Sequence, residues 1–495
     1  MGGRKRHLWR IVVLAVVVAA VLGKHQGASW GSSAYDPSSD PYSMQNITQA
    51  DGVQAWWQAG YTGQGVDVAL IDTGVSPVPA LSGNGKIVNG PDLSLESQNP
   101  SLQYLDTNGH GTFMAGIIAG NDGQPGGYRG VAPDARILSL KVGDTDGGVD
   151  VSQMIAAIDW VVQHRHDNGM NIRVINLSYG TNSTQPYAVD PLAYAAEQAW
   201  KAGIVVVAAA GNSGFQKYSL APGLADPAYD PQIIAVGGAD TMGTPSLRDD
   251  QVAAYSADAA SCSRGCRAPD IVAPGTHMQG LRDPGSYIDQ NYPGGALGDQ
   301  YFRGSGTSEA TAFTTGAVAL LLQKYPQATP DQVKAMLIAS SDKLHSFNWK
   351  DAGSGELDLN ALLTAPLPSP LNAAQSQIPS TGTGSLEAAR GSDHLTLNGV
   401  VLQGEQDIFG NPFNSTQMAA LEAAGSSWSG GRWNGSSWSG NSWSGSSWSG
   451  NSWSGSPWSG SSWSGSSWSG SSWSGSSWSG SSWSSAQWLG ASWGR

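Results

Sequence analysis

The chain has 495 residues with 25 basic and 38 acidic side chains, a formal net charge of −13, which argues against nucleic acid or an anionic membrane as the main partner. Charged residues make up 13% of the chain, roughly half the usual share. The deficit is concentrated at one end: residues 426–495 hold 14 of the 21 tryptophans but only two charges, Arg432 and Arg495. Two cysteines exclude a disulfide scaffold and a four-cysteine zinc site.

In chain order, residues 1–28 read as an export signal. Arg4, Lys5, Arg6 and Arg10 precede the apolar run Ile11–Leu22, which is short of the about 20 residues that span a bilayer and suits a signal core. An uncleaved membrane anchor is the alternative. Either way the bulk of the chain is expected outside the cytoplasm, secreted or at the cell surface. There a Cys262–Cys266 disulfide is expected, with two free thiols as the alternative. A short segment, 29–44, leads into a domain over 45–364. Its apolar runs 66–71, 136–142, 172–178, 204–210 and 233–238 predict buried strands, and 151–166, 189–202, 307–325 and 330–341 predict helices. Apolar strands alternating with helices imply an α/β fold with a mostly parallel sheet covered on both faces. The Pro-rich stretch 365–370 opens a linker and small region of unassigned fold to 425.

Residues 426–495 repeat W-S-G-S-S, with Trp at every fifth position from Trp428 to Trp493. Five matches neither helical nor strand periodicity, so a flexible tail is expected. A β-solenoid or a wall-binding array is the alternative. Indoles are large, rigid contacts, and many in a row give avidity. The tail is therefore expected to be dispensable for catalysis and to attach the protein to a cell wall or surface; the competing view makes it an intramolecular chaperone.

Four segments carry chemistry. Asp72 ends the 66–71 run in I-D-T-G-V. His110 opens a small-residue helix in N-G-H-G-T-F-M-A-G. Asn212 follows the 204–210 run in A-A-A-G-N-S-G, and Ser308 begins an apolar helix in G-S-G-T-S-E-A-T. In a parallel sheet, ligands bind beyond the carboxyl ends of strands and at helix N-termini. A Ser, a His and a carboxylate converging there are the parts of a nucleophilic hydrolase. D-T-G is also the aspartic-protease signature, but that chemistry needs a second carboxylate and no second D-T-G or D-S-G is present. The run Gly60-x-x-Gly63-x-Gly65 precedes its strand, whereas a dinucleotide loop follows one. His164 and His166, Trp56, Trp57 and Trp160 read as structural.

With Y-T-G-Q-G-V-D-V-A-L-I-D-T-G, N-G-H-G-T, V-I-N-L-S-Y-G, A-A-A-G-N, A-P-D-I-V-A-P-G and G-T-S in that order, residues 45–364 resemble the subtilisin-like serine proteases, or subtilases. The order Asp, His, Ser is the one known for subtilisin. The resemblance implies an Asp72–His110–Ser308 triad with Asn212 as oxyanion donor. It implies substrate pairing along Ser178-Tyr179-Gly180 and along Gly147-Gly148-Val149, and a specificity pocket walled by Ala209, Ala210 and Gly211. It further implies protein or peptide substrates, no cofactor, no nucleic acid and a monomer.

Departures from the family pattern are Glu309 where the residue after the nucleophile is usually Met, and Ala312 where Pro is usual. Ala80 sits near the place of a calcium-binding Asp, so no metal site is assigned. The segment 29–44 leaves no room for a large inhibitory prosegment. The alternative function is a catalytically weak protease-like domain that serves as a surface-binding protein through its tail.

Overall fold

The continuous apolar runs form strands because both of their faces are buried. The computed structural model describes residues 35–83, 85–214, 223–259, 267–344, 347–397, 400–437 and 490–493. Met1–Tyr35 and Asp36–Arg495 are separate units, and the second is described here. The expected signal 1–28, the Cys262–Cys266 pair and most of the repeat tail lie outside the described residues.

The strands are β1 (Asp67–Asp72), β2 (Ile87–Asp92), β3 (Arg136–Lys141), β4 (Ile172–Leu177), β5 (Val205–Ala209), β6 (Ile234–Asp240), β7 (Gln251–Val252) and β8 (Ile271–Pro274). They continue with β9 (Met278–Leu281), β10 (Ala296–Leu297), β11 (Tyr301–Gly306), β12 (Ser341–Asp342) and β13 (Glu356–Leu357). The main sheet runs β12-β13-β8-β6-β5-β4-β1-β3-β2, with β7 beside β6. Pairings from β13 across to β2 are parallel; β12 and β7 add antiparallel edges. The chain leaves β1 toward β2 and β3 on one side and later returns to β4, β5, β6 and β8 on the other. β1 is thus where the strand order reverses, and the cleft beyond its carboxyl end is where such sheets bind ligands. Asp72 is its last residue.

The five predicted strands and four predicted helices are present within two residues of their expected ends. Helix starts follow their caps. Asp150 and Gln153 form a capping box before Val151–His164, Asp190 caps Pro191–Lys201, and Thr329 and Gln332 form a second box before Pro330–Ala339. The helix Thr307–Lys324 is buried from Thr307 through Leu322 and packs on β4, β5, β6 and β8 and against the helix His110–Ala119. Gly316 permits that approach, since a Cβ there would lie 2.5 Å from the Val131 Cβ.

Two expectations for the C-terminal part differ from the structure. Residues 365–425, read as a linker and small region, pack on the domain: Leu386, Ala389, Phe409 and Met418 belong to its main core, and the helix Ser415–Ala423 lies on Pro191–Lys201. The repeat also begins with regular structure. Trp428–Ser429, Arg432–Trp433 and Ser436–Ser437 form a three-stranded meander. Its turns, Gly430-Gly431 and Asn434-Gly435, all have positive φ, as two-residue hairpin turns require. Trp433 is fully buried. The five-residue period hid this because the two-residue turns, rather than any face periodicity, set the geometry. A second small sheet joins β9 and β10 to β11, and Gly490–Trp493 also pairs with β11.

Candidate active site

Asp72 and His110 come together at the carboxyl end of β1. His110 Nδ1 lies 2.8 Å from Asp72 Oδ1, and both side chains are 1% exposed. The Thr73 N–H donates to the same oxygen at 2.8 Å. His110 begins its helix after Gly109, whose φ is +103°. Gly111 must stay bare, because a Cβ there would stand 2.1 Å from the Gly74 carbonyl oxygen.

A residue not singled out in the sequence organises this corner. Buried Asp106 accepts from Thr73 Oγ1 (2.8 Å) and the Gly109 N–H (2.8 Å) with one oxygen. With the other it accepts from the Thr112 N–H (2.7 Å) and Thr112 Oγ1 (2.6 Å). It therefore ties the turn after β1 to the first turn of the His110 helix. The available signal was the Asp four residues before the His in D-T-N-G-H.

Ser308 lies in the first turn of its helix, fully buried. Its Oγ donates to the Ser178 carbonyl at 3.4 Å, and Ser178 Oγ donates to the Ser308 carbonyl at 3.2 Å. Asn176 completes the latch, donating to Ser178 Oγ (3.0 Å) and accepting from Thr315 Oγ1 (2.9 Å). Ser308 is thus fixed against the end of β4.

Asn212 is oriented by the residue before Ser308. Its Oδ1 accepts from both the N–H (2.8 Å) and the Oγ1 (2.9 Å) of Thr307, and Thr307 Oγ1 accepts from the Gly211 N–H at 3.2 Å. With its oxygen occupied, the amide presents Nδ2, which has no partner among the described residues. Thr307, like Asp106, was not singled out in the sequence.

Burial raises the Asp72 pKa, and the His110 partner opposes that shift only in part. Burial pushes the His110 pKa down, but the Asp72 charge and hydrogen bond, with the Glu309 and Asp106 charges, carry it above the ordinary histidine value. Glu309, fully buried with both oxygens lacking partners among the described residues, is pushed up to about 7 by burial.

The other expected residues line the same end of the sheet. Ser178, Tyr179 and Gly180 continue from β4, and all three are buried. Gly147 and Gly148 are held in a turn where Gly148 N–H donates to Asp144 Oδ1 at 2.8 Å. Ala209 ends β5 and Ala210 follows it, and the Gly211 carbonyl accepts from the Ala257 N–H at 2.8 Å. At Ala80, the carbonyl oxygen accepts from Asn121 N–H. Among the described residues no group of three or more His, Cys, Asp or Glu is arranged to hold a metal, and no helix is long and apolar enough to cross a membrane.

A buried imidazole–carboxylate pair, a serine at a helix N-terminus and an amide held by the residue before that serine, all at the switch point of a parallel sheet, have the layout of a nucleophilic hydrolase. The family model for the subtilase family matches residues 63–358, more than half of the chain. The serine protease AprX of Bacillus subtilis (strain 168) is 39% identical over 294 residues, covering 59% of this chain and 63% of AprX. Subtilisin DY of Bacillus licheniformis is 33% identical over 327 residues, covering 65% of this chain and 97% of the relative. Among solved structures, fervidolysin of Fervidobacterium pennivorans, a keratinolytic enzyme related to subtilisin, matches with a TM-score of 0.51 at 26% identity, over 67% of this chain and 47% of that one. The chain belongs to the subtilase family, the subtilisin-type serine endopeptidases.

Proposed function

We propose that this chain is an exported serine endopeptidase acting through Asp72, His110 and Ser308. The observation that carries the reading is the His110 Nδ1–Asp72 Oδ1 contact of 2.8 Å inside a closed site. It sets the tautomer: with its proton on Nδ1, the imidazole has its basic lone pair on Nε2. His110 then takes the Ser308 proton as Oγ attacks the peptide carbonyl, and returns it to the leaving amine. Water hydrolyses the acyl-enzyme by the same exchange. The imidazolium formed in between is stabilised by Asp72. The carbonyl oxygen, gaining charge as the tetrahedral intermediate forms, accepts from Asn212 Nδ2 and from the Ser308 backbone N–H at the helix N-terminus.

Ser178–Gly180 and Gly147–Val149 pair with the extended substrate backbone, and Ala209, Ala210 and Gly211 wall the pocket for the residue preceding the cut. Proteins and peptides are the substrates. The basic and apolar N-terminus directs export, and the later part of the tail attaches the protein to a surface. Ser308→Ala in the full chain, folded by circular dichroism, leaves casein uncut. A folded Ser308→Ala protein that cleaves casein as fast as the wild type overturns the reading.

A further inference from the structure

Beyond the segment matched by the family model, the short helix Leu386–Arg390 and the three residues after it contact the chain just after both expected substrate-pairing segments, at Asp150 and at 181–184. Arg390 is fully buried. Its Nε and Nη2 donate to the two oxygens of Asp150, at 2.6 and 3.2 Å. Its remaining donors go to the Gly404 carbonyl (2.7 Å), the Gln406 carbonyl (2.5 Å) and Glu387 Oε2 (3.3 Å). Asp150 follows Gly147-Gly148-Val149 directly and caps the next helix. Arg390 therefore anchors one rim through the residue that directly follows it. The same turn of chain holds the segment that directly follows the other rim, Ser178–Gly180. Thr181 Oγ1 donates to the Ala389 carbonyl at 2.5 Å, the Asn182 N–H to Asp393 Oδ2 at 3.1 Å, and the Thr184 N–H to the Ala388 carbonyl at 3.1 Å. Gly391, with φ +61°, presses on this following segment so closely that a Cβ would lie 2.0 Å from the Asn182 carbonyl oxygen.

We propose that residues 388–393 are a clamp that fixes the separation of the two substrate-pairing rims, with Arg390 as its positioning residue. The proposal rests on the reading of Gly147–Val149 and Ser178–Gly180 as those rims. An extended peptide between them must pair on both sides, at about 4.8 Å to each neighbour. A cleft held at that width spares the ordering cost of binding. The bidentate guanidinium–carboxylate pair suits this task because it fixes direction as well as distance. A buried ion pair adds little net stability over an apolar pair of the same volume, so its value here is geometric. Among the described residues no hydrogen bond joins 388–393 to Ser308, His110 or Asn212, and so the clamp separates peptide binding from chemistry.

The test is Arg390→Met in the full-length protein, assayed on p-nitrophenyl acetate and on an octapeptide cut near its middle. Ester turnover and the rate of Ser308 labelling by a small fluorophosphonate stay at wild-type values. KM for the octapeptide rises about 10-fold, equivalent to ~1.4 kcal/mol of binding, with kcat nearly unchanged. Arg390→Lys, which keeps the charge, recovers part of the loss. Should Arg390→Met fail to fold, Asp393→Ala decides: it removes the acceptor of the Asn182 N–H, together with a 3.5 Å contact from the neighbouring Ser392 hydroxyl, and raises the octapeptide KM by a smaller factor. An unchanged octapeptide KM in the folded variant overturns the clamp, as does an equal loss on ester and peptide. A wild-type protein that neither labels nor cleaves overturns the underlying reading of the site, and the clamp with it.

Discussion

Trp433 is the most severe test of how the repeat joins the enzyme. Its indole is fully buried, its ring lies 5.9 Å from that of Phe413, and its Nε1 donates to Asp159 Oδ2 at 2.7 Å. Beside it, Trp428 Nε1 donates to the Ala156 carbonyl at 2.8 Å. Trp433→Ala empties a site of indole size, a loss of about 3–5 kcal/mol. It also takes a donor from a buried carboxyl, a further cost of about 1–3 kcal/mol. The second cost falls at the lower end, because burial already raises the Asp159 pKa to about 7 and the group can take up a proton instead. The expected loss is about 4–6 kcal/mol, a large part of the ~5–15 kcal/mol that keeps a domain folded. Trp433→Phe keeps most of the apolar contact and loses mainly the hydrogen bond, at about 1–2 kcal/mol. Urea denaturation followed by far-ultraviolet circular dichroism in a Ser308→Ala background avoids self-digestion. A loss below about 1 kcal/mol for Trp433→Ala refutes the docking, since full burial cannot cost so little. Truncation after residue 425 therefore destabilises the domain, whereas truncation after 437 spares both docked tryptophans.

Asn212→Ala lowers kcat with KM little changed, by the roughly 100- to 1,000-fold range known for the oxyanion asparagine of subtilisin itself; a pure KM effect assigns Asn212 to ground-state binding instead. Glu309→Gln removes a negative charge that helps hold the His110 pKa up, so the acid limb of kcat/KM moves to lower pH; an unmoved limb shows that Glu309 does not act on the base. Stability falls as pH rises from about 4 to 8, because burial lifts Asp159, Asp230 and Glu309 to about 7 and Asp283 to about 8, and in that window the folded state binds more protons than the unfolded. Desolvation alone would raise both the buried Asp150 and the partly buried Asp270, but Arg390 holds the first below the usual range, and Arg267 and Lys334 the second; their contribution is lost only at more acid pH. Melting of the Ser308→Ala protein is thus higher at pH 5.5 than at pH 8.5, and the reverse order contradicts these assignments.

The parts legible in the sequence are those whose local pattern equals their structural role. β1 and β5 are buried along their whole length, so they read as unbroken apolar runs. Asp72, His110, Asn212 and Ser308 stand among small residues because helix and strand ends crowd there, as Gly111 shows. β2 was missed because I-V-N-G-P-D mixes burial with turn residues. Asp106 was missed because it acts through backbone N–H groups of a loop, which no side-chain motif announces. Arg390 is one charged residue in a short helix, and its partner lies 240 positions away. Trp433 differs from the other repeat tryptophans in its neighbours, Arg432 before it and Asn434-Gly435 after it in place of the usual Ser and Ser-Gly; Gly430-Gly431 and Asn434-Gly435 were the hairpin-turn signals that the five-residue repeat masked.

The central claim is that Ser308 is a nucleophile activated by His110 and Asp72. Treating the full-length protein with a fluorophosphonate and locating the adduct by mass spectrometry tests it most directly. The expected result is a single adduct on Ser308, formed more slowly in His110→Ala and absent in Ser308→Ala. A wild-type protein that cleaves peptides while Ser308 stays unmodified, or carries the adduct elsewhere, contradicts the account.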